Sequence, residues 1–129
     1  MADYAKMSDA ELNAAVAEKV MGWRQHQYMG DCWASDSFEN GYRQKHYWSP
    51  STDIAAAMEV VDRVLELDFS CFGGMTDFEL VMNPYTHEWG AKFSWSDPGQ
   101  REVGRNEGRS RAICLAALAA VEAKEKTNA

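Results

Sequence analysis

The chain has 129 residues, 46% of them hydrophobic and 26% charged, which is the composition of one globular domain with its own core and excludes wholesale disorder. A net charge of −7 excludes non-specific attachment to nucleic acid or to an anionic membrane, since both need a net basic surface. Cys32, Cys71 and Cys114 are odd in number, far apart and in no C-x-x-C spacing, which argues against a disulfide framework and against a zinc site.

A single domain over residues 1–129 is expected, with 1–7 and 123–129 read as frayed termini. Met1 to Met7 lack a basic region followed by an apolar run, and no stretch approaches the roughly 18 apolar residues of a membrane span. A reducing cytoplasm is the expected setting.

Ser8-Asp9-Ala10-Glu11 is a capping box, in which the Ser8 hydroxyl accepts from the Glu11 backbone and the Glu11 carboxylate reaches back to Ser8. It predicts a helix from Asp9 to about Met21, with Leu12, Ala15, Val16, Val20 and Trp23 on one face and Gly22 at its end. From Arg24 to Tyr47 the chain turns polar and aromatic. Strand formers and the Asn40-Gly41 dipeptide predict strands near residues 31 to 36 and 42 to 48, joined by a tight turn.

Ser49-Pro50-Ser51-Thr52-Asp53 marks the start of a second helix, because Pro50 suits a first helical turn and four side-chain oxygens can cap its free N–H groups. Ile54, Met58, Val61 and Leu65, beside Ala57, Val60, Val64 and Leu67, give that helix a broad apolar arc. After Gly73-Gly74, Phe78 to Met82 reads as a strand broken by Asn83-Pro84-Tyr85. His87 to Trp95 reads as its antiparallel partner, with Trp89, Ala91, Phe93 and Trp95 facing inward and Lys92 and Ser94 outward. Ser96 to Arg109 reads as a polar loop, and an Ala- and Leu-rich third helix begins near Ser110.

Three segments, Glu18-Lys19-Val20-Met21-Gly22-Trp23, Ser49 to Ala57 with Val60-Val61, and Arg111 to Leu118, together resemble the phage ABA sandwich domain family, small proteins of tailed phages. The likeness spans roughly residues 8 to 123. It implies helices packed on a small antiparallel sheet, in agreement with the reading above: an α/β sandwich (α+β) of three helices on a mostly antiparallel sheet, in the order α-β-β-α-β-β-α. It also implies a phage accessory protein acting in the cytoplasm of the host bacterium.

Gly108-Arg109-Ser110-Arg111-Ala112 has the form of a nucleophile elbow, but the predicted loop before it and the lack of a downstream histidine oppose hydrolysis, leaving Ser110 as a helix cap. His26, Cys32, His46, Cys71 and His87 match no ligand spacing, so neither metal nor cofactor is expected. Arg101, Arg105, Arg109 and Arg111 form a basic cluster leading into a helix N-terminus, where free N–H groups favour anions, although Asp97, Glu102 and Glu107 could simply balance it. The aromatic residues gathered before the second helix suit core packing or a recognition surface. The combined expectation is a non-enzymatic protein that binds, and sequesters, a small anionic nucleotide-derived ligand such as a host defence signal. Its expected site is Arg105, Arg109, Ser110 and Arg111, with Tyr47 or Trp48 stacking on a base. The alternative is an interaction module that takes a host or virion protein through its aromatic surface; mimicry of nucleic acid by the acidic charge is a weaker option, and a homo-oligomer is left open.

Overall fold

The structure, a computed structural model, describes residues 3–97 and 99–128. Among them three α-helices and six strands alternate in the order α1 (Asp9–Lys19), β1 (Arg24–Gln25), β2 (Cys32–Ala34), β3 (Tyr42–Gln44), α2 (Ile54–Glu66), β4 (Thr76–Met82), β5 (Trp89–Trp95), β6 (Arg101–Asn106) and α3 (Arg109–Asn128). The strands form two antiparallel three-stranded sheets, β1-β2-β3 and β4-β5-β6. The α+β class stands as expected, with one strand more in each half than the sequence suggested.

The capping box forms as written, Ser8 Oγ accepting from the Glu11 N–H and Glu11 Oε1 from the Ser8 N–H, each at 3.2 Å. The second helix begins later than Pro50. Residues 50 to 52 form a turn in which the Ser49 carbonyl accepts from the N–H groups of Thr52 and Asp53, and Asp53 alone caps α2, accepting from the Ala55 N–H at 3.1 Å. The Asn13 amide of α1 ties down this turn, donating to Ser49 Oγ and accepting from the Ser51 N–H, both at 3.0 Å. On α2, Ala57, Val60, Val61 and Val64 are buried, whereas Met58 and Leu65 face solvent, so its apolar arc is narrower than the sequence implied.

The first sheet is smaller than expected. Residues 45–47 form a 3₁₀ turn instead of extending β3, and Asn40-Gly41 ends a loop from 35 to 41 rather than a two-residue hairpin. Glu59 of α2 anchors this sheet: Arg43 donates to both of its carboxylate oxygens, at 2.9 and 3.2 Å, and Trp48 Nε1 donates at 3.3 Å. Trp23 packs between Trp48 and Phe38, with ring centroids 4.5 and 4.8 Å away.

Helix α3 is the centre of the core. Ala112, Ile113, Cys114, Ala116, Ala117, Leu118 and Ala120 are fully buried, the signature of a helix covered on all sides, and it packs against β5, β6, α1 and α2. Both ends of the described chain carry helical structure. Tyr4, in a 3₁₀ turn at Tyr4–Lys6, is buried and donates to Glu122 Oε1 at 2.5 Å, and α3 continues to Asn128 instead of fraying at residue 123; residues 1, 2 and 129 lie outside the described residues.

The expected loop from Ser96 to Arg109 contains β6, paired with β5 from Arg101 opposite Ser94 to Asn106 opposite Trp89. The alternation predicted for β5 is present: Ala91, Phe93 and Trp95 are buried, Trp89 is half-buried, and Lys92 lies on the opposite face. Gly104 explains how α3 approaches β6 so closely. A Cβ at that position would lie within 3.0 Å of the Ala112 carbonyl, the Ala116 amide and Leu115 Cβ, and two of those three are backbone. Gly90 differs, since a Cβ there meets nothing nearer than the Val81 carbonyl at 3.8 Å. Gly104→Ala should therefore cost about 1–3 kcal/mol or more through overpacking, whereas Gly90→Ala should be neutral or stabilising by up to about 1 kcal/mol. Urea denaturation of the two variants checks this contrast.

Candidate functional site

Pairing in the second sheet assigns each side chain to a face. Thr76, Phe78, Leu80 and Met82 of β4 share the inner face with Trp89, Ala91, Phe93 and Trp95 of β5 and with Glu102, Gly104 and Asn106 of β6. The outer face carries Asp77, Glu79 and Val81 from β4, Gly90, Lys92 and Ser94 from β5, and Arg101, Val103 and Arg105 from β6. None of these nine is buried.

The β4–β5 turn closes one end of this face and is held by its own hydrogen bonds. Asn83 Oδ1 accepts from the N–H groups of Tyr85 and Thr86 at 2.9 and 3.3 Å, the Asn83 N–H donates to the Glu88 carbonyl at 2.7 Å, and the His87 N–H donates to the Asn83 carbonyl at 2.8 Å. His87 takes a left-handed backbone, φ 61°, to complete the turn. Tyr85 is presented to solvent, 92% exposed.

Two adjoining clefts lie here. One, of about 510 Å³, is lined by Val81, Met82, Tyr85, Glu88, Trp89 and Arg105, among others; the second, of about 350 Å³, by Glu79, Lys92, Arg101, Val103 and Arg105. They share Val81, Gly90 and Arg105, so Arg105 stands between an aromatic half and a cationic half. Lys92 is paired with Glu79 at 3.0 Å; among the described residues Arg101 and Arg105 are in no ion pair, which leaves two guanidinium groups for an incoming anion. The larger cleft has the volume of small-molecule sites, and ring, cation and carboxylate are the groups that read a heterocycle carrying an anionic substituent.

Of the six residues of the expected site only Arg105 lines these clefts, joined by Arg101 from the same basic cluster. Arg109 is exposed at the first turn of α3. Ser110 is the second residue of α3 and buried, so it is neither a helix cap nor an exposed group beside the clefts; a strand, not a loop, precedes its turn. Arg111 points to the N-terminal segment, donating to Asp9 Oδ1 at 3.0 Å and to the carbonyls of Ala5 and Met7 at 3.3 and 2.5 Å. Tyr47 is exposed and packs against His46, the rings tilted with centroids 4.0 Å apart. Trp48 is buried with its N–H on Glu59, and its edge lines a separate cleft of about 470 Å³ beside Asn13, Trp33 and Lys45. The structure thus separates the expected stacking rings from Arg105. Tyr85, Glu88 and Trp89 were missed as site residues, because their meeting with Arg105 depends on the pairing of β6.

Among the described residues no three His, Cys, Asp or Glu side chains gather as a metal site would require. Burial pushes the Cys114 thiol up to about 12, the nearby Arg111 charge only partly offsetting this, and Cys114 is protonated at neutral pH.

The model of the phage ABA sandwich domain family matches residues 14–118. The fold is similar to the 2.0 Å crystal structure of a phage protein from Bacillus cereus ATCC 14579, with a TM-score of 0.65 and 20% sequence identity over 93% of this chain and 98% of that one. Among curated proteins none matches.

Arg111, expected from sequence to be an exposed ligand contact, holds the N-terminal segment instead. Arg111→Ala should destabilise the unliganded protein by about 1–3 kcal/mol, because it removes three charge-assisted hydrogen bonds that tie α3 to the N-terminal segment. Arg109→Ala should change stability by less than about 0.5 kcal/mol. Chemical denaturation midpoints for the two variants give the comparison.

Proposed function

The chain belongs to the phage ABA sandwich domain family, and on that premise we propose that it is a non-enzymatic phage accessory protein that binds and sequesters a small anionic nucleotide-derived ligand, such as a defence signal, in the host bacterial cytoplasm. The observation that carries this reading is the position of Arg105, common to a cleft that holds Trp89 and Tyr85 and to a cleft that holds Arg101 and Lys92. A base lies against the exposed Tyr85 ring with Glu88 at its polar edge, and the anionic group lies on Arg105 and Arg101. The energies suffice. Micromolar affinity needs about 8 kcal/mol; two arginine–phosphate contacts at about 1.5–3 kcal/mol each and one stacked ring at about 1–3 kcal/mol reach it at the upper end of their ranges.

A second reading, a protein-interaction module, draws on a different surface. Tyr28, Tyr42 and Tyr47 are exposed on the segment from residue 28 to 47, and Tyr28 and Tyr42 pack edge-on to His26. Exposed tyrosines in one region are a common feature of contact surfaces.

A thermal-shift and calorimetry screen over mononucleotides, cyclic dinucleotides and ADP-ribose derivatives tests the ligand reading. A ligand at a hundredfold excess over its dissociation constant should stabilise the protein by about 2.7 kcal/mol. Arg105→Ala should weaken that ligand by at least about tenfold, more at low salt than at high, and Tyr85→Ala should also weaken it, with no ligand consumed. Absence of stabilisation by every compound, or binding indifferent to Arg105→Ala, contradicts the reading.

A further inference from the structure

The outer face of the β4-β5-β6 sheet has its charges sorted by strand. β4 supplies Asp77 and Glu79, β6 supplies Arg101 and Arg105, and Lys92 on the central strand is held to Glu79 at 3.0 Å. Val81, 53% exposed, and Val103, 38% exposed, add an apolar component. From this pattern we propose that the face binds a second copy of this chain, related by a two-fold axis that runs parallel to the strands between the two sheets.

Symmetry and register select that axis. A two-fold across the strands, through the Glu79–Lys92 level, lays β4 on β4, setting Glu79 against the partner's Glu79 and Arg101 against the partner's Arg105. Opposed like charges suppress such a pairing. A two-fold along β5 instead lays the acidic strand on the basic one. Asp77 and Arg101 both align with Ser94, and Val81 and Arg105 both align with Gly90. Asp77 therefore faces the partner's Arg101, and Val81 faces the partner's Arg105, while Glu79 sits between those two guanidinium groups. Each contact occurs twice. Stacked sheets lie about 10 Å apart, a gap that an arginine and a carboxylate side chain span together. Lys92 would meet the partner's Lys92 near the axis, but its bond to Glu79 draws it toward β4.

The face is small, about 10 Å between its outer strand axes and about 20 Å along β4, so the association belongs to the weak, transient class of contacts. Gly90 has no side chain on the axis, and the stacked copies leave a hollow there with one arginine from each. In this dimer the partner's Asp77 takes up Arg101, so the association goes beyond the ligand reading and competes with an anion for that guanidinium; it rests on the sheet register alone.

Sedimentation velocity of the full chain, from about 10 to about 500 μM and at low and high salt, tests the proposal. A reversible dimer that weakens with salt is expected. Asp77→Arg and Arg101→Glu should each weaken it at least about tenfold, and the combined D77R/R101E chain should recover to within about threefold of the wild type. Circular dichroism checks that each variant is folded. A monomer at every concentration, or a dimer indifferent to both single reversals, overturns the proposal; nucleotide binding by such a monomer would leave the ligand reading in place.

Discussion

The close seating of α3 on the second sheet is the contact on which the rest of the molecule depends. Gly104 lets the backbone of α3 come down on β6 at Ala112 and Ala116, and Ala91 on β5 keeps the neighbouring position small. Small residues on both sides let a helix and a sheet approach closely, and at interior packing density even one added methyl group is felt. Once β6 is held this way its residues must alternate. Glu102, Gly104 and Asn106 turn toward α3, which sends Arg101, Val103 and Arg105 to the opposite face. The candidate site is thus an outcome of core packing, with Arg105 placed by the glycine before it.

The helices were legible because their signals are local. A capping box, an aspartate cap and spacings of three and four each act within a few residues, and all three helices start where those signals put them to within a few positions. The strand from Trp89 to Trp95 was legible for the same reason, having an apolar residue at every second position. β6 was not. Its inner positions are Glu102, Gly104 and Asn106, and its one apolar side chain, Val103, faces outward, so alternation had nothing to register. Burial even raises the Glu102 carboxyl above its usual range, with Lys126 partly offsetting this, a cost that no sequence pattern announces.

Misplacing β6 had consequences for the site. Four arginines close in sequence were read as one cluster, but strand and helix geometry send them different ways: Arg101 and Arg105 to the sheet face, Arg111 inward to the N-terminal carbonyls, Arg109 to solvent. Trp48 was read as a ring available for stacking because its sequence neighbours are aromatic. Its actual partners, Trp23 and Glu59, lie 25 residues before it and 11 after, beyond the reach of any local pattern. The surface electrostatics fit a small ligand better than a polymer. A chain of net charge −7 repels extended polyanions, while a local pair of arginines beside aromatic rings can still hold a compact anion.

The most direct test of the account is a ¹H–¹⁵N NMR titration of the wild-type chain with the tightest-binding nucleotide-derived compound. The account predicts that the amide shifts concentrate at Val81, Tyr85, Gly90 and Arg105, with the Trp48 indole N–H unmoved. Shifts centred on Arg109 to Arg111 or on Tyr47 and Trp48, with the Gly90 and Arg105 amides unmoved, would contradict it.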